Sequence, residues 1–349
     1  MSVKIDIFAF MRRLRLLLLP FSILYGAIVF VRNWMFDNGW LKSTSYDVPV
    51  ICVGNLSVGG TGKSPMIEYL IRLTKANYNV ATLSRGYKRK TSGFLVANAE
   101  TTAADIGDEP LQFYSKFGDE IIVSVEAQRT VGIEKLQLLS NKPDIILLDD
   151  AFQHRKVTAG FNIVLTPYND LYVNDFMLPA GNLREPKSGA KRANVIVVTK
   201  CPTIVAKSEM LQITDQLKPN AQQHVFFTTI AYSETVQNET AQLPLFSLKD
   251  EPFVLVTGIA NPKPLLEYVN DLGLLYTHLK YPDHHDFSES ELNTITQKAG
   301  NQKIVTTEKD FMRLQGRLDN LYYLPIEVAF LADEDVFQEQ VMQFIDVSI

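Results

Sequence analysis

A chain of 349 residues, 46% hydrophobic and 21% charged, is an ordinary globular protein longer than one compact core usually holds, so two lobes are expected. Its net charge of −5 argues against broad, sequence-independent nucleic-acid binding, which needs a basic footprint. Two cysteines, Cys52 and Cys201, are too few for a disulfide framework; each lies in or beside an apolar run and reads as a buried thiol in a reducing compartment, and no Cys/His spacing suggests zinc.

Residues 16–31 carry no charge and follow Arg12, Arg13 and Arg15. As a helix the run covers about 24 Å, short of a hydrocarbon core of about 30 Å, and Pro20 disturbs any helix that begins at Leu14. Basic residues before an apolar stretch also fit a secretory signal, but no small-x-small cleavage site follows. A buried first helix is the plainer alternative. A helix lying in the cytoplasmic leaflet, with Arg and Trp at the headgroups, accounts for more of the pattern.

The polar residues 42–47 read as a linker into the main body. Short apolar runs at 48–53, 80–83, 121–125, 145–148, 163–165 and 195–198 read as buried strands. Helical spacing follows the first at Met66, Leu70 and Leu73, and recurs over 129–139. That alternation predicts a parallel sheet covered on both faces. Residues 202–250 are polar and weakly periodic apart from 225–230, and could hold the crossover to a second lobe. Strands at 253–257, 304–306 and 322–326, a helix at 263–272 and a last helix at 334–344 repeat the alternation. The expected organisation is an N-terminal membrane-associated helix (1–40), a P-loop nucleotide-binding core (41–202) and a smaller C-terminal α/β lobe (203–349).

The sharpest chemical signal is Ser57-Val58-Gly59-Gly60-Thr61-Gly62-Lys63-Ser64. Glycines let successive N–H groups turn inward around phosphate oxygens at the positive end of the next helix. Lys63 then reaches the outer phosphates, the Ser64 hydroxyl ligates Mg²⁺, and Pro65 suits the first helical turn. One departure from G-x-x-x-x-G-K-[ST] stands out: the first glycine falls at Ser57. Asp149-Asp150 follows the strand at 145–148 and supplies the acid that organises the metal, although paired acids there also serve as caps. Ala151-Phe152-Gln153-His154-Arg155 adds a histidine and an arginine to the same edge.

Three clusters are less explicit. The loop Ser84-Arg85-Gly86-Tyr87-Lys88-Arg89-Lys90 is densely basic, as suits phosphate or a solvated loop. Gly107-Asp108-Glu109-Pro110 offers an acid or a helix cap. Asp283-His284-His285-Asp286 places acid beside histidine, as proton abstraction from a hydroxyl requires, or is simply a polar loop.

Together these segments resemble the tetraacyldisaccharide 4′-kinases, the lipid A 4′-kinases of Gram-negative bacteria. Besides the loop, acid pair and basic cluster, the matching stretches are Val53-Gly54-Asn55, Pro179-Ala180-Gly181-Asn182-Leu183-Arg184-Glu185-Pro186, Pro282-Asp283-His284 and Thr306-Thr307-Glu308-Lys309-Asp310, spread over nearly the whole chain in the family's order. Ala151 departs from the glycine usual in the family. The resemblance implies transfer of the γ-phosphoryl group of ATP to the 4′-hydroxyl of a tetraacylated glucosamine disaccharide 1-phosphate, giving lipid IVA, at the cytoplasmic face of the bacterial inner membrane. It makes Gly59, Gly60, Thr61, Gly62, Lys63 and Ser64 the nucleotide contacts. Ser64, Asp149, Asp150 and Glu185 become Mg²⁺ contacts, and Asp108, His284 and Asp283 the proton-accepting group. Tyr87, Arg129, His154 and Arg184 fall near phosphates or sugar.

Two other functions compete. A GTP-hydrolysing switch or metal-insertion chaperone also uses a P-loop, and 195–200 resembles the strand before a guanine-reading T-K-x-D box; Pro202 stands where its Asp would be. A non-catalytic membrane scaffold with a nucleotide fold has no need for Asp108, Asp149-Asp150 and His284 together.

Overall fold

The computed structural model describes residues 14–283 and 285–348. Helix α1 (Leu19–Asp37) continues a 3₁₀ turn at Leu16–Leu18 and has Pro20 in its first turn, where the missing N–H costs nothing. It is longer than the uncharged run predicts, because the Arg32 guanidinium donates to the Gln153 carbonyl (2.7 Å), which lets the helix continue past a charge. By length and composition Leu16–Asp37 could cross a membrane, and only 17% of its most apolar window is covered by protein, so it is not a buried core helix.

The main body is built on β1 (Val50–Asn55), α2 (Lys63–Thr74), β2 (Val80–Ser84), β3 (Leu95–Val96), α3 (Ala103–Ile106), α4 (Asp108–Phe117), β4 (Ile122–Val125), α5 (Arg129–Gln137), β5 (Ile145–Asp149), β6 (Phe161–Pro167), β7 (Val195–Thr199), α6 (Lys207–Leu217) and β8 (His224–Tyr232). Strands β1, β2, β4, β5 and β7 are buried along their whole length, as continuous apolar runs demand when both sheet faces are covered. Met66, Ile67 and Leu70 of α2 pack one face with Phe113 and Phe117 of α4; Ile133 and Leu136 of α5 and Ile213 and Leu217 of α6 cover the other.

The chain then makes a second, six-stranded sheet from β9 (Thr235–Gln237), β10 (Gln242–Pro244), β11 (Phe253–Thr257), β12 (Tyr276–Lys280), β13 (Ile304–Thr307) and β14 (Leu321–Leu324), with α7 (Lys263–Asp271), α8 (Glu289–Ala299) and α9 (Glu308–Leu314) packed on it. Finally β15 (Ile326–Phe330) and α10 (Glu334–Ser348) return to the first body. The first sheet has nine strands in the order β15-β8-β7-β6-β1-β5-β2-β4-β3, parallel from β8 to β4 with antiparallel edges.

Two expectations are corrected. The single strand expected at 322–326 is two strands in different sheets, because Pro325 interrupts the ladder where the chain crosses over. The sheets also do not divide at 202/203: β8, β15 and α10 all belong to the first body, where Phe226, Val328, Phe337 and Val341 join its core. The two crossing segments touch, the Ser233 N–H donating to the Pro325 carbonyl (2.9 Å).

Candidate active site

Strand β1 lies between β5 and β6, and the chain leaves it in one direction before returning on the other side; ligands of open α/β sheets bind at the carboxyl edge of such a switch point. The loop that follows β1 has two glycines at positive φ, Gly59 (+112°) and Gly62 (+90°), and Gly62 stands immediately before α2 in the left-handed conformation. Ser57 needs no glycine, because it pairs with Leu183 in an antiparallel bridge and keeps a negative φ. Asn55 Nδ2 donates to Thr61 Oγ1 (2.9 Å), Thr199 Oγ1 to the Thr61 carbonyl (2.8 Å) and Lys200 Nζ to the Gly60 carbonyl (2.6 Å), so the end of β7 braces the loop. Burial, then Lys63 and Lys309, depress the pKa of Lys200, which marks a cleft crowded with cations.

At the end of β5, Asp149 is buried; burial first and Asp150 second push its pKa to about 6. Its Oδ2 accepts from Ser84 Oγ (3.3 Å), while its buried Oδ1 has no partner among the described residues. Asp150 adopts φ +47°, which turns its carboxylate to Arg184 Nη2 (2.7 Å) and Nη1 (3.2 Å), with Lys63 Nζ at 3.8 Å. Burial opposes its charge, but Lys63 and then Arg184 outweigh that and hold its pKa below the usual carboxylate value. Buried Arg129 donates to the Asp149 carbonyl (3.2 Å) from the start of α5. Burial, helped by Arg129, Lys156 and Arg32, lowers the His154 pKa to about 4, so the ring is neutral.

Asp108 opens α4, with Arg313 Nε donating to its Oδ2 (3.1 Å) across from α9 of the second sheet. Asp283 comes from the loop after β12, with Lys309 Nζ 3.5 Å away; His284 lies outside the described residues. The structure therefore gathers Lys63, Ser64, Asp149, Asp150, Arg129 and Arg184 at one sheet edge and brings Asp108 to the lobe boundary. Tyr87 is 61% exposed, on a loop locked beneath by Gly107. Glu185 sits differently from a free metal contact: the residue is 1% exposed and its carboxylate is occupied by Arg192 (3.0 Å), Gln153 (3.0 Å) and Asn33 (3.1 Å), so it ties α1 to the core.

Sequence reasoning missed Lys200, Lys309 and Arg313. Lys200 stands just past the end of β7 as Asp150 stands just past the end of β5, a signal set aside with the guanine box; Lys309 lies in the family motif at 306–310 but is given no role there, and Arg313, one turn on along α9, lies beyond that motif.

A second ionic cluster joins the bodies. Lys116 Nζ lies 2.5 Å from both Glu68 and Glu308, and Gln112 Nε2 donates to the same two carboxylates (2.7 and 3.1 Å). Burial and the nearby Glu68 raise the Glu308 pKa to about 7.

Comparison with known proteins gives a concordant picture. The sequence pattern of the Tetraacyldisaccharide-1-P 4′-kinase family matches residues 14–346. The tetraacyldisaccharide 4′-kinase of Flavobacterium johnsoniae is 51% identical over 337 residues, 96% of this chain and 98% of its own length. That of Parabacteroides distasonis is 45% identical, over 95% of each chain. The crystal structure of LpxK from Aquifex aeolicus, described as in complex with ATP, superposes with a TM-score of 0.77 at 31% identity over 95% of this chain and 99% of that one.

Proposed function

Because the chain belongs to the tetraacyldisaccharide-1-P 4′-kinase family, we propose that its P-loop edge and the lobe boundary together carry out phosphoryl transfer to an acylated disaccharide. The protein is an ATP-dependent kinase of lipid A biosynthesis that phosphorylates the 4′-hydroxyl of tetraacyldisaccharide 1-phosphate. The observation that carries the site assignment is the convergence of Lys63, Arg184 and the Asp149-Asp150 pair at one strand edge.

In this reading the Gly59–Ser64 backbone cradles the ATP phosphates, and Lys63 neutralises charge that develops on the transferred group. The partnerless Oδ1 of Asp149, together with the Ser64 hydroxyl, suits a hard divalent cation. Mg²⁺ held there would neutralise phosphate charge, with Asp150 close by. Arg184 grips Asp150 with Nη1 and Nη2 and, after Lys63, helps keep that carboxylate ionised. Asp108 takes the acceptor's proton; Arg313 fixes its orientation from the other body, and Asp283 and His284 complete the proton-accepting group. Arg129 secures the β5 end, and Tyr87 and His154 flank the sugar and phosphates. Gln153, Asn33 and Arg192 spend Glu185 on anchoring α1, so we assign it a positioning role and not a metal contact.

Helix α1 supports a place on the membrane. Its polar side faces the protein: Ser22 Oγ accepts from the Ala180 N–H (2.9 Å), Tyr25 Oη donates to the Arg184 carbonyl (2.9 Å) and Asn33 to Glu185. Its apolar side chains Phe21, Ile23, Leu24, Ile28 and Phe30 point away from the protein. A helix that is polar inward and apolar outward has lipid as its natural solvent. We assign the enzyme to the inner-membrane surface, with its nucleotide edge in the ATP-containing cytoplasm.

Lys63→Ala is expected to abolish transfer of labelled γ-phosphate to the disaccharide lipid. Undiminished turnover would refute the assignment. Asp108→Ala should lower kcat far more than it raises KM for ATP; a change confined to ATP affinity would move Asp108 to the nucleotide site.

A further inference from the structure

The ionic cluster that joins the two bodies lies outside the reacting groups, yet it is built on the helices that carry them. The Lys116 ammonium on α4 lies 2.5 Å from Glu68 of α2 and 2.5 Å from Glu308 of α9. One turn earlier on α4, Gln112 donates to the same two carboxylates. The side chains of Lys116, Glu68 and Glu308 are 12%, 1% and 4% exposed, so solvent ions screen them little. A buried ionic cluster adds little stability over apolar residues of the same size. What it adds is direction, because charge-assisted hydrogen bonds hold their partners at a set distance and angle.

Each of the three helices has a functional group a short way from the cluster. Glu68 is five residues from Lys63, about 7.5 Å along α2. Lys116 is eight residues from Asp108, about 12 Å along α4. Glu308 begins α9, and Arg313 of that helix donates to Asp108 Oδ2 (3.1 Å). Helices α4 and α9 therefore run antiparallel and are tied at both ends, Arg313 to Asp108 and Glu308 to Lys116. Those two ties fix Asp108 to the second body and leave its distance from the P-loop open. The bond from Lys116 to Glu68 sets that distance, since Glu68 stands on the helix that Lys63 begins. Arg72, 3.7 Å from Glu68, is shared with the exposed Glu327 and reaches neither α4 nor α9.

We propose that Lys116 is a positioning residue for phosphoryl transfer: by tying α4 to the P-loop helix and to the second body at once, it holds Asp108 at its working distance from the phosphates that Lys63 meets. The role rests on the kinase reading above and deepens it. Lys116 itself touches neither nucleotide nor acceptor in this arrangement. A displacement of about 1 Å at a reacting group can cost about a hundredfold in rate, so a lock two turns away bears directly on kcat.

The test uses the full-length protein with labelled ATP and the disaccharide lipid 1-phosphate in detergent micelles, active protein being counted by ATP binding. Lys116→Met strands two buried carboxylates and is expected to lower both Tm and kcat. The triple variant Lys116→Met/Glu68→Gln/Glu308→Gln removes all three charges at nearly constant size, so none is left unpaired. It should regain most of the lost Tm, yet keep kcat at least about tenfold below wild type with KM for ATP unaltered. Placed in an Asp108→Ala background, the same three substitutions should cause no further loss, because the group they position is gone. Wild-type kcat in the triple variant, or a loss that persists undiminished in the Asp108→Ala background, overturns the role whatever the Tm. A raised KM for ATP with unchanged kcat would confine the effect to the P-loop helix and overturn it equally. A wild type that transfers no phosphate to the lipid would instead sink the kinase reading, and this role with it.

Discussion

Gly107 has a φ of +93°, and a Cβ built there would meet the Tyr87 carbonyl at 2.9 Å. Both facts make any other residue strained there, and both bear on Asp108, which follows. Gly107→Ala should cost about 1–3 kcal/mol in urea denaturation, the usual range for a strained backbone, and should lower kcat by displacing Asp108. An unchanged kcat would detach Asp108 from the reaction. Arg184 is a different case, because its two nitrogens meet both oxygens of Asp150. Lysine keeps the charge but not the fork. Arg184→Lys is therefore expected to reduce kcat at least about tenfold, with Tm nearly unchanged; a kcat equal to wild type would show that charge alone suffices.

At the scale of an element, α1 shows how a helix can be inverted and still be stable. Three polar side chains, Ser22, Tyr25 and Asn33, make its bonds to the 180–185 segment, while the exposed side is almost wholly aliphatic and aromatic. Placing carboxylates on that outer side, as in Phe21→Asp/Ile28→Asp, leaves every one of those bonds in place. The double variant should shift from vesicles to the soluble fraction in flotation, with KM for ATP unaltered. Firm retention on vesicles would mean that another surface anchors the protein.

For the molecule as a whole, the two bodies meet through charge. Lys116 is shared by Glu68 and Glu308, and Asp108 by Arg313. Glu308 holds its proton in the fold up to about pH 7, but its ordinary value is 4.5. Between those values the folded protein binds more protons than the unfolded chain, so stability is greatest at the acidic end and falls as pH rises through about 7. Thermal unfolding between pH 5 and 8 should show that decline, and Glu308→Gln should flatten it. An identical slope in the variant would place the titrating group elsewhere.

The sequence alone determined the P-loop, the acid pair and the parallel core, because these are local: a glycine pattern, two acids after four apolar residues, buried strands read as unbroken apolar runs. It also marked α1 as apolar, and the family motifs supplied Asp108 and the acceptor. It left undecided what each charged side chain faces. Glu185 lies in a motif with Arg184, yet one turns to Asn33, Gln153 and Arg192 and the other to Asp150. Pro325 gave no sign that the chain changes sheets there, since leaving one ladder and entering another look alike over five residues. Which side of α1 meets the protein and which arginine reaches Asp108 both depend on residues more than a hundred positions apart. Tertiary packing sets those distances, and no local pattern encodes them.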